Sequence, residues 1–415
     1  MPADYPDLMS ETARLFDRAP DLVADPYPVY KRMRDEAPVF KLGPLVVVTR
    51  YADIRAVLKN TETFSSQRAS GSRVHAAKAR LDEEDARRLQ DLANFEAGQL
   101  QDTDEPVHSR IRGTVDSSFT PRKIRALSEV IQGMIDDLLQ EADSRGSLDL
   151  VRELASPLPL KVICHMLRAG HQDSRSIKEW SDAWSTFFSS DHANVREAYD
   201  AIEGFRALVG GYIAERRGEQ EPEDLLGSLI KSGEGGQGLT DEELVQMVVL
   251  LLFAGHETTT NLIGNGVVAL HEFPQQLRIL GEDPSLIHHA VDEFLRYNSS
   301  VHTIHRVAAR DCELGGVAVA AGDTIRLILA AANHDDAVFE NSEELDVRRP
   351  NASRHVGMGY GIHTCLGVSL AKLEAELVFT TLITRYPEFR VIGEVRKRPA
   401  FGLMGPVEVA IQLRP

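Results

Sequence analysis

The feature that most constrains this 415-residue chain is a run near its middle that reads as one long, buried helix. Thr240 and Glu243 form the T-x-x-E signature of a capping box, just ahead of an apolar stretch. Leu244, Val248, Leu251, Gly255, Thr258 and Leu262 then recur at steps of three and four and mark one helical face. The pattern predicts a helix from 240 to about 271, with Pro274 enforcing a stop. Roughly thirty residues at about 1.5 Å each would span a whole domain. Residues 248–253 are apolar all round, so the helix belongs inside the protein.

The rest of the chain fits around such an axis. Helical periodicity dominates from about 105 to 300 and returns at 366–386. Strand-like material occurs at about 39–49, with Val46-Val47-Val48 at its centre, at 312–329 with a Gly-Gly turn, and at 389–413. Residues 73–92 are dense in Ala, Arg, Asp and Glu and read as an exposed helix or mobile loop. Neither repeats nor linkers divide the sequence, so a single mainly α domain over 1–415, with a small β-rich region, is expected.

Composition narrows the function. With 43% hydrophobic and 26% charged residues the chain is ordinary globular material. A net charge of −17 argues against nucleic acid as a partner, because phosphate binding needs a basic face. The acidic N-terminus lacks a basic segment followed by an apolar run, and residues 247–255, the longest apolar stretch, fall far short of the roughly 20 needed to cross a bilayer. No membrane association and a cytoplasmic location are expected. Cys164, Cys312 and Cys365 form no C-x-x-C pair, which disfavours a disulfide framework and a zinc site of usual spacing. C-x-x-C-H, the mark of covalently attached haem, is also absent.

Three constellations carry chemistry. Within the long helix, Ala254-Gly255-His256-Glu257-Thr258-Thr259 places a glycine that costs about 1 kcal/mol relative to alanine beside a carboxylate that is expensive to bury unpaired. Either this is a tolerated kink with Glu257 bonded to an arginine, or the helix opens locally and its hydroxyl and carboxylate handle protons. Gly357-Met358-Gly359-Tyr360-Gly361-Ile362-His363-Thr364-Cys365-Leu366-Gly367 has four glycines in eleven residues, a backbone that turns tightly and approaches something closely. Cys365 lies at or just before a helix N-terminus, where the dipole and free N–H groups stabilise a thiolate. Glu293 and Arg296 sit three residues apart on one helix face; taken alone, such a pair is usually a surface ion pair worth little.

Together and in this order, these features resemble the cytochrome P450 superfamily of haem-thiolate monooxygenases. The loop is similar to its F-x-x-G-x-H-x-C-x-G motif, with Gly361, His363, Cys365 and Gly367 in register. The helix resembles its A-G-x-(D/E)-T motif, and Glu293 with Arg296 its E-x-x-R pair. His108 and Arg112 match an H-x-x-x-R helix flanking the haem, Arg306 a propionate-binding arginine, and Ala332-Asn333-His334-Asp335 an A-N-R-D segment. The resemblance implies a P450-like fold and haem b (iron protoporphyrin IX) ligated by Cys365. It implies His108, Arg112, Arg306 and His363 at the haem carboxylates, and O2 as co-substrate. Ala254 and Gly255 would border the oxygen site, Thr258 would donate a hydrogen bond there, and Glu257 would relay protons. Thr259 and His256 are expected to be bystanders, and Trp180, Trp184, Phe187 and Phe188 are more simply core than substrate contacts. The substrate implied is an apolar small molecule, bounded in part by Val301, Thr303 and Ile304. Electrons would come from a ferredoxin-type donor with its reductase, docking near Cys365 on Arg110, Arg122, Lys123, Arg354 and Lys372.

Two departures stand out. Met358 occupies the position where the loop usually has Phe, a change expected to alter redox tuning rather than haem binding. Glu344 and Leu345 fall where many members carry Arg-Phe, leaving Arg348 or Arg349 as the third partner of Glu293 and Arg296. Two rival functions are a peroxide-driven peroxygenase, against which Glu257-Thr258 speaks, and a non-catalytic haem sensor.

Overall fold

The computed structural model describes residues 6–67, 81–170, 173–189, 194–217, 224–232, 238–397 and 401–414. The elements that position the site are, in chain order, β1 (Val39–Leu42), β2 (Leu45–Val48), α1 (Tyr51–Lys59), β3 (Phe64–Ser65), α2 (Glu83–Ala97), α3 (Val107–Asp116), α4 (Ser174–Ser189) and α5 (Val195–Arg216). They continue with α6 (Asp241–Glu272), α7 (Ile287–Tyr297), β4 (Thr303–Ala308), β5 (Thr324–Ile328) and α8 (Val368–Arg385). Residues 73–80 of the 73–92 stretch lie outside the described residues; 83–92 are helical in α2, with Leu89 and Leu92 buried. The chain forms two compact units, the first of residues 1–65, 124–159 and 257–415, the second of residues 66–123 and 160–256.

The first unit holds a five-stranded sheet in the order β1-β2-β5-β4-β3. β1 and β2 make a hairpin closed at Gly43, whose φ of +58° suits the turn; β2 runs parallel to β5, and β4 antiparallel to it. Val46, Val48, Ile325 and Leu327 pack with Ile54 and Val57 of α1, so that helix is seated by the sheet's apolar face. Cys312–Leu314 and Val317–Val319 form a separate hairpin across Gly315 and Gly316, the turn expected from sequence. Strand β4 and the short strand Ser147–Asp149 were not anticipated. The C-terminal half of α6 lies close against α7 and α8: a Cβ at Gly266 would come within 2.5 Å of Phe379 and 3.0 Å of Phe294, whose rings pack 4.8 Å apart. Glycine there lets the helices approach.

The second unit is helical. Arg196 on α5 bonds Asp82 and Asp85 at the start of α2, and Arg206 bonds Asp91 farther along, so the two helices run side by side in one direction. Trp184 is fully buried, stacked on Phe187 at 5.3 Å and edge-on to Phe95, while Trp180 packs on Phe205. Trp184 and Phe187 are core, as expected, and Trp180 is half-buried; the side chain of Phe188 lies outside the described residues. The predicted capping box closes the start of α6: Thr240 N–H donates to Glu243 Oε2 at 2.8 Å, and Glu243 N–H to Thr240 Oγ1 at 3.2 Å.

Candidate active site

In the first unit, the glycine-rich loop is pinned to the protein's own backbone at both ends. A Cβ at Gly357 would lie 2.9 Å from the Leu295 carbonyl, and one at Gly361 2.7 Å from the Leu58 carbonyl of α1. Gly359 and Gly361 take φ of +73° and +77°, a region other residues avoid. The close approach inferred from sequence is thus in part an approach to neighbouring chain. Asn333 anchors the base: its Oδ1 accepts from Val356 N–H at 2.8 Å, and its Nδ2 donates to Ser299 Oγ at 2.8 Å. At the loop's end, Cys365 N–H donates to the Met358 carbonyl at 2.9 Å. The cysteine is half-accessible, is in no disulfide, and stands just ahead of α8, with Gly367 at the helix N-cap. A thiol so placed receives the helix dipole's stabilisation of its anion.

Buried ion pairs hold the surroundings of that loop. Glu293 and Arg296 are both fully buried and bond in a forked pair, with both contacts at 2.7 Å. The bland reading of the pair as a surface contact is therefore overturned. Arg349 is the third partner, its Nε 3.0 Å from Glu293 Oε1, while Arg348 is exposed. Arg296 also donates to the carbonyls of Asn333 and Ser342, and both Arg296 and Arg349 donate to that of Glu344. The position that many family members give to arginine thus contributes its backbone here. Asp292, one residue before Glu293, bonds Lys372 of α8 at 2.9 Å and His355 at 3.4 Å. Burial alone would raise its carboxyl, but hydrogen bonds from His355 and Lys372 outweigh that and hold it below the usual range.

Along α6, residues 244–252 and 259–270 are buried, whereas Phe253, Ala254, Gly255, Glu257 and Thr258 are half-accessible. A Cβ at Gly255 would meet nothing within 4 Å, so the glycine borders open space. His256 and Thr259 are buried. Ser300 Oγ, a contact no motif announced, donates to the Thr258 carbonyl at 2.8 Å. A hydroxyl on that carbonyl competes with the helix's own ladder at the residue where the accessible window ends.

The remaining candidates divide between the units. Arg306 lies on β4, 6% exposed, and donates to the His305 carbonyl at 2.7 Å; His363 ends a short 3-10 turn in the loop. In the second unit, His108 and Arg112 are one turn apart on α3. His108 is buried, 3.9 Å from Glu105, and burial lowers its pKa. Arg112 donates to Asp116 at 2.9 Å. Among the proposed docking cations, Arg110 is already tied to Glu243 and Lys372 to Asp292, so neither is an uncommitted surface charge.

The family model for cytochrome P450 matches residues 40–283 and 285–408. The chain belongs to the cytochrome P450 family. Among its relatives, the vitamin D(3) 25-hydroxylase of Pseudonocardia autotrophica is 39% identical over 373 residues, 88% of this chain and 87% of the relative. The cytochrome P450 monooxygenase PikC of Streptomyces venezuelae is 35% identical, covering 89% of this chain and 85% of that protein. The solved structure of P450BioI, in complex with an acyl carrier protein ligated to hexadec-9Z-enoic acid, is 30% identical with a TM-score of 0.84, covering 95% of this chain and all of that one.

This P450 is accordingly a haem-thiolate monooxygenase that takes its electrons from a separate redox partner and inserts one atom of O2 into an apolar small organic molecule. The residues present fit haem. A half-accessible Cys365 just ahead of a helix, in no disulfide, suits a cofactor held through one thiolate ligand. Among the described residues, no helix is long and apolar enough to cross a membrane.

Proposed function

We propose that Cys365 is the residue whose thiolate would hold a non-covalently bound haem b. The observation that carries this reading is the half-accessible Cys365, at the end of a loop braced against Leu295 and Leu58 and just ahead of α8. Thiolate-ligated haem supplies oxygen activation when bound, because the sulfur pushes electron density toward O–O cleavage. The chain's residues do the rest. The loop backbone and Gly367 offer N–H donors that keep the sulfur anionic. Arg306 and Arg112 neutralise the two carboxylates with forked donors, and His108 and His363 add hydrogen bonds. Ala254 and Gly255 leave room on the opposite side. The Thr258 hydroxyl would donate a hydrogen bond there, and Glu257, on the same accessible stretch, would relay protons from solvent.

An apolar substrate of some bulk is supported by the relative named for vitamin D(3), and the acyl-carrier-bound neighbour supports a long acyl chain as a second class to test. The electron donor we propose is a ferredoxin with its reductase, in the cytoplasm.

The test has two parts. Haem-loaded protein is titrated with vitamin D3, a polyketide and a free fatty acid while the spin state is followed, and a saturable low-to-high-spin shift is expected with one class. Thr258→Ala is then reduced through a ferredoxin; NADH use should continue while product per NADH falls and peroxide rises. An unchanged ratio would remove Thr258 from proton delivery. Turnover that is faster with peroxide than with ferredoxin would favour the peroxygenase reading instead.

A further inference from the structure

A loop with four glycines has many backbone states to lose, and it must nonetheless hold one sulfur in one place. Its base is anchored by Asn333 and by the contacts of Gly357 described above. Its far turn is different. Between Gly359 and Gly361, both left-handed, the only side chain available to grip is that of Tyr360.

Tyr360 is gripped from α1. The guanidinium carbon of Arg55 lies 4.1 Å from the centroid of the Tyr360 ring, well inside cation–π range, and Arg55 Nη2 donates to the Tyr360 hydroxyl. Arg55 Nη1 donates to the Tyr51 hydroxyl at 3.4 Å, and that hydroxyl donates to the Arg354 carbonyl at 2.7 Å. The first turn of α1 is fixed as well, because Tyr51 N–H donates to Asp335 Oδ2 at 3.0 Å. The Leu58 carbonyl, one turn beyond Arg55, is the group against which Gly361 packs. Helix α1, itself seated on the sheet, therefore touches the turn at two points. Met358, a flexible side chain where an aromatic ring usually sits, gives the loop less stiffness of its own.

We propose that Arg55 is a positioning residue for the thiolate: its stack and hydrogen bond on Tyr360 clamp the turn that sets Cys365. The proposal rests on the reading of Cys365 as the haem ligand. It acts through the loop, since Tyr360 precedes Cys365 by five residues and the Met358 carbonyl that receives Cys365 N–H lies on the other side of Gly359. Releasing the clamp lets the loop sample more states and loosens the hold on the position of the sulfur.

The experiment uses full-length, haem-loaded protein with Arg55→Met, Arg55→Lys, Tyr360→Phe and, as a charge control on the exposed end of the same helix, Lys59→Met. The carbonmonoxide complex of the reduced protein is followed as it converts from the thiolate-ligated to the thiol-ligated spectrum, alongside the haem midpoint potential and the thermal midpoint. Arg55→Met should speed the conversion about tenfold, the combined worth of a half-buried cation–π contact and one hydrogen bond. Tyr360→Phe, which keeps the stack and loses the hydroxyl, should speed it about threefold. Arg55→Lys should recover part of the loss, and Lys59→Met should match wild type. The thermal midpoint of Tyr360→Phe should stay at the wild-type value while its conversion rate moves. Wild-type conversion rates and potential in both Arg55→Met and Tyr360→Phe would overturn the clamp while leaving Cys365 as ligand. A wild-type protein that loads haem without a thiolate spectrum would overturn the ligand reading and the clamp with it.

Discussion

Replacing Arg349 by leucine should destabilise the protein by about 4 kcal/mol, although Arg349 touches no part of the proposed chemistry. Its Nε bonds the fully buried Glu293, Nη1 donates to the Glu340 carbonyl at 2.6 Å, and Nη2 donates to the carbonyls of Asn341 and Glu344 at 3.1 and 3.0 Å. In Arg349→Leu the Glu344 carbonyl keeps Arg296, and Glu293 keeps Arg296 and the Asp346 N–H. What is lost is one charge-assisted bond, about 2 kcal/mol, and the donors to two carbonyls at about 1 kcal/mol each. The sum falls within the roughly 3–5 kcal/mol typical of breaking a buried pair. With a urea slope of about 3 kcal/mol per molar, the midpoint should drop by about 1.3 M, read by far-ultraviolet circular dichroism. The neighbouring Arg348→Leu, at an exposed position, should stay within about 0.5 kcal/mol of wild type. If the two variants shift equally little, the buried network does not hold this region and the argument fails.

Two further outcomes follow from particular residues. His302 is buried against the Tyr30 hydroxyl, and burial, with His334 and Lys397 nearby, lowers its pKa to about 3. Its contribution is complete above the unfolded value of about 6.5 and falls as pH drops toward 3, so about 2 kcal/mol should be lost between pH 7 and 5; His302→Asn should flatten that limb of the stability–pH curve, and an unaltered slope would assign the acid sensitivity elsewhere. Gly255→Ala should raise helix stability by about 1 kcal/mol, since the added methyl meets open space; product formed per NADH should fall at the same time, and full retention of both rate and coupling would show that the space is not needed.

Much of this was legible in the sequence, for reasons that can be traced. Helix α6 announced itself through Thr240, Glu243 and an apolar run, all local signals. The cysteine loop was recognisable because its glycines and Cys365 have fixed spacing. Strand β4 was missed, since Thr-Ile-His-Arg-Val-Ala carries polar residues in mid-strand and shows no clean alternation. The choice between Arg348 and Arg349 was undecidable because adjacent residues leave the backbone in different directions. The anchoring work of Asn333 and Ser300 rests on partners 23 and 42 residues away, and such pairings come from the fold. The same distance effect removed Arg110 and Lys372 from the pool of uncommitted cations: their acidic partners Glu243 and Asp292 lie far along the chain.

The most direct test of the account is the absorption spectrum of the reduced, carbonmonoxide-bound protein, recorded beside Cys365→Ser, each made with ample haem. The account predicts the thiolate-ligated spectrum in the wild type and its complete loss in the variant, with Cys164→Ser and Cys312→Ser unchanged. A thiolate spectrum that survives in Cys365→Ser, or never forms in the wild type, would contradict it.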